Sequence, residues 1–289
     1  GSYAQTLGFH TINDGGGAIY YITDTGTANE RDVISVNTTL YANLIAPSVA
    51  TPEIYGAYCD GVHDDSSAIQ DAINSGRPVL MSKNYYITSS VTIGNQDTTI
   101  SSGYKKNMEI DGSHSVVTYT GAGSAFVIAG VEGGSFKFGT IDASNGTCIE
   151  MWSTNGNVRV DYITLSFNKL IASAKGIYIH AQNTSGGSGF INEITVNGGT
   201  IYDGAYGIYA EMTRETSSNI LGMSGHHYHN VCFEGCDSNF YFNAIGCAIR
   251  EFDFYGIRYE ENRTAPLMTL VGNVFRGFVF NGMFPIYTQ

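Results

Sequence analysis

The chain has 289 residues, 43% of them hydrophobic and only 14% charged, with 36 glycines but five prolines, so it can build one large core and is not a disordered low-complexity chain. A net charge of −12 with no basic stripe excludes nucleic acid as a main partner and makes a polyanionic ligand unnatural unless a local basic pocket overrules the average. No run of 18 apolar residues is present, which excludes helical membrane insertion, and the chain does not open on a signal-peptide pattern; its first pair, Gly1-Ser2, reads as a cleavage scar, so this says little about the native protein.

Residues 3–46 form the first unit. A glycine-rich turn from Gly8 to Ala18 leads into the strand Ile19 to Ile22, and a polar loop into Val33 to Val36 and Leu40 to Ile45. Gly15 to Gly17 are not a nucleotide loop, since neither a lysine nor a helix follows. Residues 47–53, bounded by Pro47 and Pro52, read as a linker.

Residues 54–77 are the best-defined local signal. Gly56 and Gly61 sit in a turn-rich opening, Asp64 or Asp65 is placed to cap a helix, and Ala68, Ile69, Ala72 and Ile73 make its apolar face. Asn74-Ser75-Gly76 ends the helix and Arg77-Pro78 prevents its return. Gly56, Ala57, Asp60, Gly61, Asp64, Asp65, Ala68, Ile69, Gln70, Ala72 and Ile73 together resemble the opening of the pectate-lyase-like right-handed parallel β-helix domains of phage tailspikes, tail appendages and some polysaccharide-degrading enzymes. Residues 3–46 resemble the small β-neck that often precedes this motif in phage tail proteins.

The resemblance implies an all-β fold: a right-handed parallel β-helix (solenoid) over residues 78–289, with a short N-terminal capping helix and a small N-terminal β-neck. It makes Asp64, Asp65, Ile69 and Ile73 parts of a structural cap. It also implies a homotrimer, other virion tail proteins as partners, and a place in the virion tail, or outside the cell if the chain is bacterial.

Beyond residue 78 a pattern of two alternate apolar residues followed by glycine recurs, ending at Gly198, Gly235, Gly256 and Gly282, with weaker copies at Gly134 to Thr140 and Asp161 to Phe167. Lys175-Gly176-Ile177-Tyr178 echoes in Tyr206-Gly207-Ile208-Tyr209. Each step is about one solenoid coil, with the apolar pairs stacked inward. Gln182 to Gly189 and Met212 to Gly225 read as surface loops. The repeat runs out in the apolar stretch Met283 to Tyr287, so either another chain is expected to cover it or the chain belongs to a longer protein.

Glycan hydrolysis needs two carboxylates, and adjacent coils supply such pairs easily. Asp203, Glu234 and Glu260 or Glu261 are the candidate acid/base set; Arg258, Arg263, His226, His229 and Trp152 are candidate substrate contacts. A polygalacturonase-type pattern is not met, because Ser185 stands at its first aspartate and its lysine is missing. A lyase would use Arg258 or Arg250 as base, but no clustered aspartates suggest a calcium site. Cys232 and Cys236 lie near His226, His227 and His229, yet their strand-like context reads as buried packing; no metal and no cofactor is expected. The leading expectation is a phage or prophage tailspike-type or tail-fibre-type protein that binds a bacterial cell-surface or capsular polysaccharide during attachment. The alternative is a polysaccharide depolymerase, by hydrolysis or elimination, on the same fold; a weaker one is a secreted bacterial glycan-processing enzyme.

Overall fold

A computed structural model describes residues 1–96, 104–154, 158–183, 189–214, 221–245, 248–260, 268–272, 275–282 and 284–286. At its start, Ser2–Gln5, Ile19–Thr23, Tyr41–Leu44 and Val33–Ser35 pair in that order as a four-stranded antiparallel sheet. The glycine-rich turn of this neck is wound around one carboxylate. Asp14 accepts the backbone N–H groups of Thr11, Gly16, His10 and Phe9, and these bonds, Thr11's foremost, hold its carboxyl well below the usual range. Lys83 Nζ donates to the Asp14 carbonyl at 2.7 Å, and the His10 ring stacks on Tyr58 at 3.6 Å, so the neck is docked on the segment that follows.

Helix α1 (Ser66–Asn74) turns Ala68, Ile69, Ala72 and Ile73 into the main core beside Val91 and Ile93. Ile69 is fully buried and Ile73 is 3% exposed, each stabilising the fold by roughly 1.5–3 kcal/mol. The acidic pair holds this lid by a route other than the expected side-chain cap. Asp65 occupies the N-cap position, but its buried carboxylate accepts Tyr58 N–H at 2.7 Å and Tyr86 N–H at 3.2 Å. Asp64 accepts Ser66 N–H at 3.0 Å and Thr88 N–H at 3.2 Å, together with both hydroxyls. Both aspartates therefore tie the helix entrance to the strand Asn84–Ile87 and its following turn.

The remainder is a parallel β-solenoid with one short helix at its N-terminal end. One wall runs through Lys105–Tyr119, Val131–Ala143, Val160–Ala172, Gly189–Asn197, Leu221–His229, Ala248–Tyr255 and Phe275–Asn281. A second wall is a seven-stranded sheet, in spatial order Val91–Gly94, Ser124–Ala129, Thr147–Thr154, Lys175–Asn183, Tyr206–Arg214, Ser238–Ile245 and Met268–Gly272. A third, narrow wall continues the long strands of the early coils and becomes separate three-residue strands later: Thr200–Tyr202, Cys232–Glu234, Arg258–Glu260 and Phe284–Ile286.

Inward positions stack like on like. Ile110, Phe136, Leu165, Val196, Tyr228 and Phe254 form one row of the first wall, and Val91, Phe126, Ile149, Ile177, Ile208 and Phe240 one row of the second. Parallel stacking also repeats the bends. Asn107, Gly133, Tyr162, Glu193, Gly225, Glu251 and Gly277 occupy the same place in successive coils, all with left-handed backbone at φ between 51° and 81°. Each inserts one extra residue between inward side chains, so that the strict alternation of a strand slips by one.

A second set of bends, Gly198, Asn230, Gly256 and Gly282, separates the first wall from the third, whereas Gly235 pairs with Asp203 at the next corner. This corrects the expected repeat. The copy ending at Gly235 belongs to the narrow wall, and its place on the first wall is taken by Leu221–His229 with Asn230 as the turn.

Ile69→Asp should abolish cooperative folding or leave an aggregating chain, seen by circular dichroism and light scattering. Asp65→Ala should cost about 2–3 kcal/mol in urea denaturation, because it strands buried N–H groups. Gly133→Ala should cost about 1 kcal/mol, while Tyr162→Gly, one coil on at the same bend, should not destabilise.

Candidate functional site

The outward face of the seven-stranded sheet carries an in-register array of aromatic and polar side chains. Its strands alternate, so each coil offers two outward positions in register. One row reads Glu150, Tyr178, Tyr209 and Tyr241; the next reads Trp152, His180, Glu211 and Asn243. Lys175 and Tyr206 begin a third. All are half-buried.

The aromatic rings support one another. Tyr209 and Tyr241 stack with centroids 5.0 Å apart and planes 2° apart, and Tyr206 meets both edge-on at 4.8 and 5.2 Å. Tyr178 stacks on His180 at 5.0 Å. Lys175 Nζ lies 4.0 Å from the centre of the Tyr178 ring and 5.1 Å from that of Tyr209.

Two carboxylates flank this patch. Tyr178 Oη donates to Glu211 Oε2 at 3.1 Å, and Ser124 Oγ donates to Glu150 Oε2 at 2.7 Å. Burial, then the Glu211 charge, pushes the Tyr178 phenol up, so it stays a donor. Burial lowers His180 against the opposing pull of Glu150 and Glu211, which keeps its imidazole neutral at neutral pH. Glu150 and Glu211 sit on the coils before and after the strand Lys175–Asn183, hence about 10 Å apart along the axis.

The narrow wall holds a second arrangement. Tyr202, Glu234 and Glu260 are directly in register on successive coils, two residues beyond Thr200, Cys232 and Arg258. A hydrogen bond to Glu234 is the main reason the Tyr202 phenol is pushed up to about 12, and Lys169 Nζ lies 4.0 Å from the centre of its ring. The expected carboxylates Glu234 and Glu260 are thus brought one rung apart. Asp203 stands exposed at the adjoining corner, where its backbone N–H donates to the Glu234 carbonyl at 3.0 Å. Arg258 is exposed beside them, while Glu261 and Arg263 lie outside the described residues.

Trp152 falls on the aromatic face, but the other expected contacts separate. His226 is wholly buried in the core, stacked on Phe252 at 4.6 Å, with Nε2 against the Ile191 carbonyl at 2.9 Å and Nδ1 against Tyr228 Oη at 3.2 Å. It is no substrate contact. The left-handed Gly225 before it slips the alternation, sending His226 inward and His227 and His229 outward. Cys232 and Cys236 are buried cysteines, packed within the coils. The aromatic face itself was visible only in part: the echo of Lys175–Tyr178 in Tyr206–Tyr209 is true coil register, and extending it one coil reaches Tyr241.

No protein-family model matches the chain, and comparison with curated proteins finds no relative. Among solved structures, it is similar to the enzymatically active domain of bacteriophage CBA120 tailspike protein 2, at 12% identity and a TM-score of 0.47 over 99% of this chain and 50% of that one. Pantoea stewartii WceF, described as a glycan biofilm modifying enzyme with a tailspike-like parallel β-helix fold, gives 12% and 0.48 over 100% and 48%. An endo-xylogalacturonan hydrolase from Aspergillus tubingensis gives 11% and 0.33 over 83% and 93%. By fold, the chain is a parallel β-helix. The chain spans about half the length of the first two of these proteins.

Burial depresses His226 to about 4, so the unfolded chain takes up its proton from about pH 6.5 downward while the folded chain does not. Its contribution to stability is therefore complete above that range and should fall by about 3 kcal/mol as pH drops toward 4. His226→Phe should flatten this part of the pH–stability profile, as read from urea midpoints at pH 7 and 4.5.

Proposed function

We propose that the β-helix binds a polysaccharide along the outward face of its seven-stranded sheet. The observation that carries this reading is the in-register array of Tyr178, Tyr209 and Tyr241 with Trp152 and Tyr206, bordered by Glu150, Glu211 and Lys175. Half-buried aromatic rings offer apolar surface to the C–H groups of pyranose rings, and carboxylates, lysine and phenols beside them match sugar hydroxyls. Rings repeated every coil, about 4.8 Å apart, suit a repeating polymer better than a single small molecule. The acidic surroundings favour a neutral or amine-bearing glycan over a polyanion.

The opening motif's resemblance supports a role as a phage or prophage tailspike-type protein, attaching to a bacterial cell-surface or capsular polysaccharide as a homotrimer among other virion tail proteins. A virion-tail or extracellular place follows from that role. Among the described residues no helix is long and apolar enough to cross a membrane.

One observation favours hydrolysis as a second reading. Glu234 and Glu260 occupy consecutive rungs, a spacing suited to the roughly 5–5.5 Å carboxylate separation of retaining glycosidases. In this reading Glu234, held by the Tyr202 hydroxyl, is the nucleophile and Glu260 the acid, with Asp203 and Arg258 at the rim.

Isothermal titration with purified capsular and cell-wall polysaccharides is expected to show saturable binding to at least one. Tyr209→Ala and Trp152→Ala should each weaken it about tenfold, a loss of about 1.4 kcal/mol, while Tyr162→Ala on the first wall should not. Equal affinity in all three variants would remove the glycan from this face. If the same polymer gains reducing ends on incubation, Glu234→Gln should stop their release without changing affinity on the aromatic face.

A further inference from the structure

We propose that His227, His229 and Asp253 form a site for one divalent transition-metal ion, zinc by the chemistry of its donors, on the outward face of the first wall. His227 and His229 are two residues apart on one strand and share a face once Gly225 has slipped the alternation. Asp253 lies directly opposite His227 on the next coil. Its Oδ2 is 3.8 Å from His227 Nδ1 and 3.9 Å from His229 Nε2, and one donor atom from each residue lies within 4.8 Å of the other two.

These gaps are too long for hydrogen bonds. They are close to what an interposed ion requires: with metal–ligand bonds of 2.0–2.2 Å, tetrahedral donors stand about 3.4 Å apart. All three side chains are about a third to two-fifths exposed, so small torsional adjustments can draw the donors together. A second observation points the same way. The other Asp253 oxygen, Oδ1, is buried and has no hydrogen-bond partner, a state that calls for a compensating charge. As plain ion pairs at these distances, the contacts would contribute little to stability.

The donor set chooses the metal. Two imidazoles and one carboxylate suit zinc and its neighbours among the divalent transition metals; calcium and magnesium demand six or more oxygens. Three protein ligands leave a fourth position open, on the solvent side of the wall, for water. The site uses neither His226 nor the cysteines, which are buried; of the histidine–cysteine cluster visible in the sequence it keeps His227 and His229 and adds Asp253. It lies on a different wall from the aromatic face and does not depend on glycan binding.

The test is titration of the chelator-stripped full chain with zinc chloride by calorimetry, and with cobalt(II) by visible absorption. One ion per chain with micromolar or tighter affinity is expected, with cobalt showing the intense d–d bands of a four-coordinate nitrogen–oxygen site. His227→Ala, His229→Ala and Asp253→Asn should each weaken binding at least tenfold and abolish the bands, whereas His10→Ala and His63→Ala should leave both unchanged. Zinc should also raise the Tm of the parent chain and not that of the Asp253→Asn variant, whose fold is checked by its metal-free Tm. Absence of a stoichiometric ion would overturn the proposal. So would Asp253→Asn binding zinc as tightly as the parent, since that is a two-histidine chelate alone.

Discussion

In-register stacking of parallel coils is the constraint on which everything else in this molecule rests. Each backbone N–H and C=O of a wall strand bonds to the same position of the coils before and after, so a residue's environment is set by its column. Inward columns must be apolar along their whole length, since a single charge would sit between two hydrophobic neighbours about 4.8 Å away. Outward columns carry no such demand, and there the same repetition aligns tyrosines with tyrosines and glutamate with glutamate.

The bends obey the same rule. Once one coil turns through a left-handed residue, its neighbours must turn at that level too, even where the residue is Tyr162 or Glu193 and the conformation costs roughly 1–2 kcal/mol. The hydrogen bonds kept in register on both sides outweigh that cost. Gly225 shows how far the consequence reaches: its extra residue decides that His226 packs on Phe252 and that His227 and His229 face solvent. At the N-terminal end, where no earlier coil exists to stack on, α1 supplies the apolar cover. Asp64 and Asp65 bond the helix entrance to the first strands.

Chemistry on such a scaffold is columnar as well. The aromatic face, the Tyr202–Glu234–Glu260 ladder and the His227–His229–Asp253 cluster occupy three different walls, each assembled from residues one coil apart. None needs a long loop to assemble. Rigid walls hold these groups at fixed spacing, which favours recognition of a repeating ligand over closure around a small one.

The sequence by itself determined the class of fold and its start. Gly56 to Ile73 marks the lid because helix periodicity and turn chemistry are local, and the apolar pair before Gly198, Gly256 and Gly282 marks coils because inward columns must be apolar. Even the Lys175–Tyr178 echo carried the register of the second wall. Tertiary structure alone decided which residues share a column. Coil lengths vary, so the copy ending at Gly235 passed for one on the first wall. An extra left-handed residue reverses which histidine faces out, and nothing in the side chains themselves announces it. The pairing of Glu234 with Glu260, of Glu150 and Glu211 around Tyr178, and of His227 with Asp253 joins residues 26 to 61 positions apart. Such contacts exist only once hydrogen bonds between coils fix one register out of many.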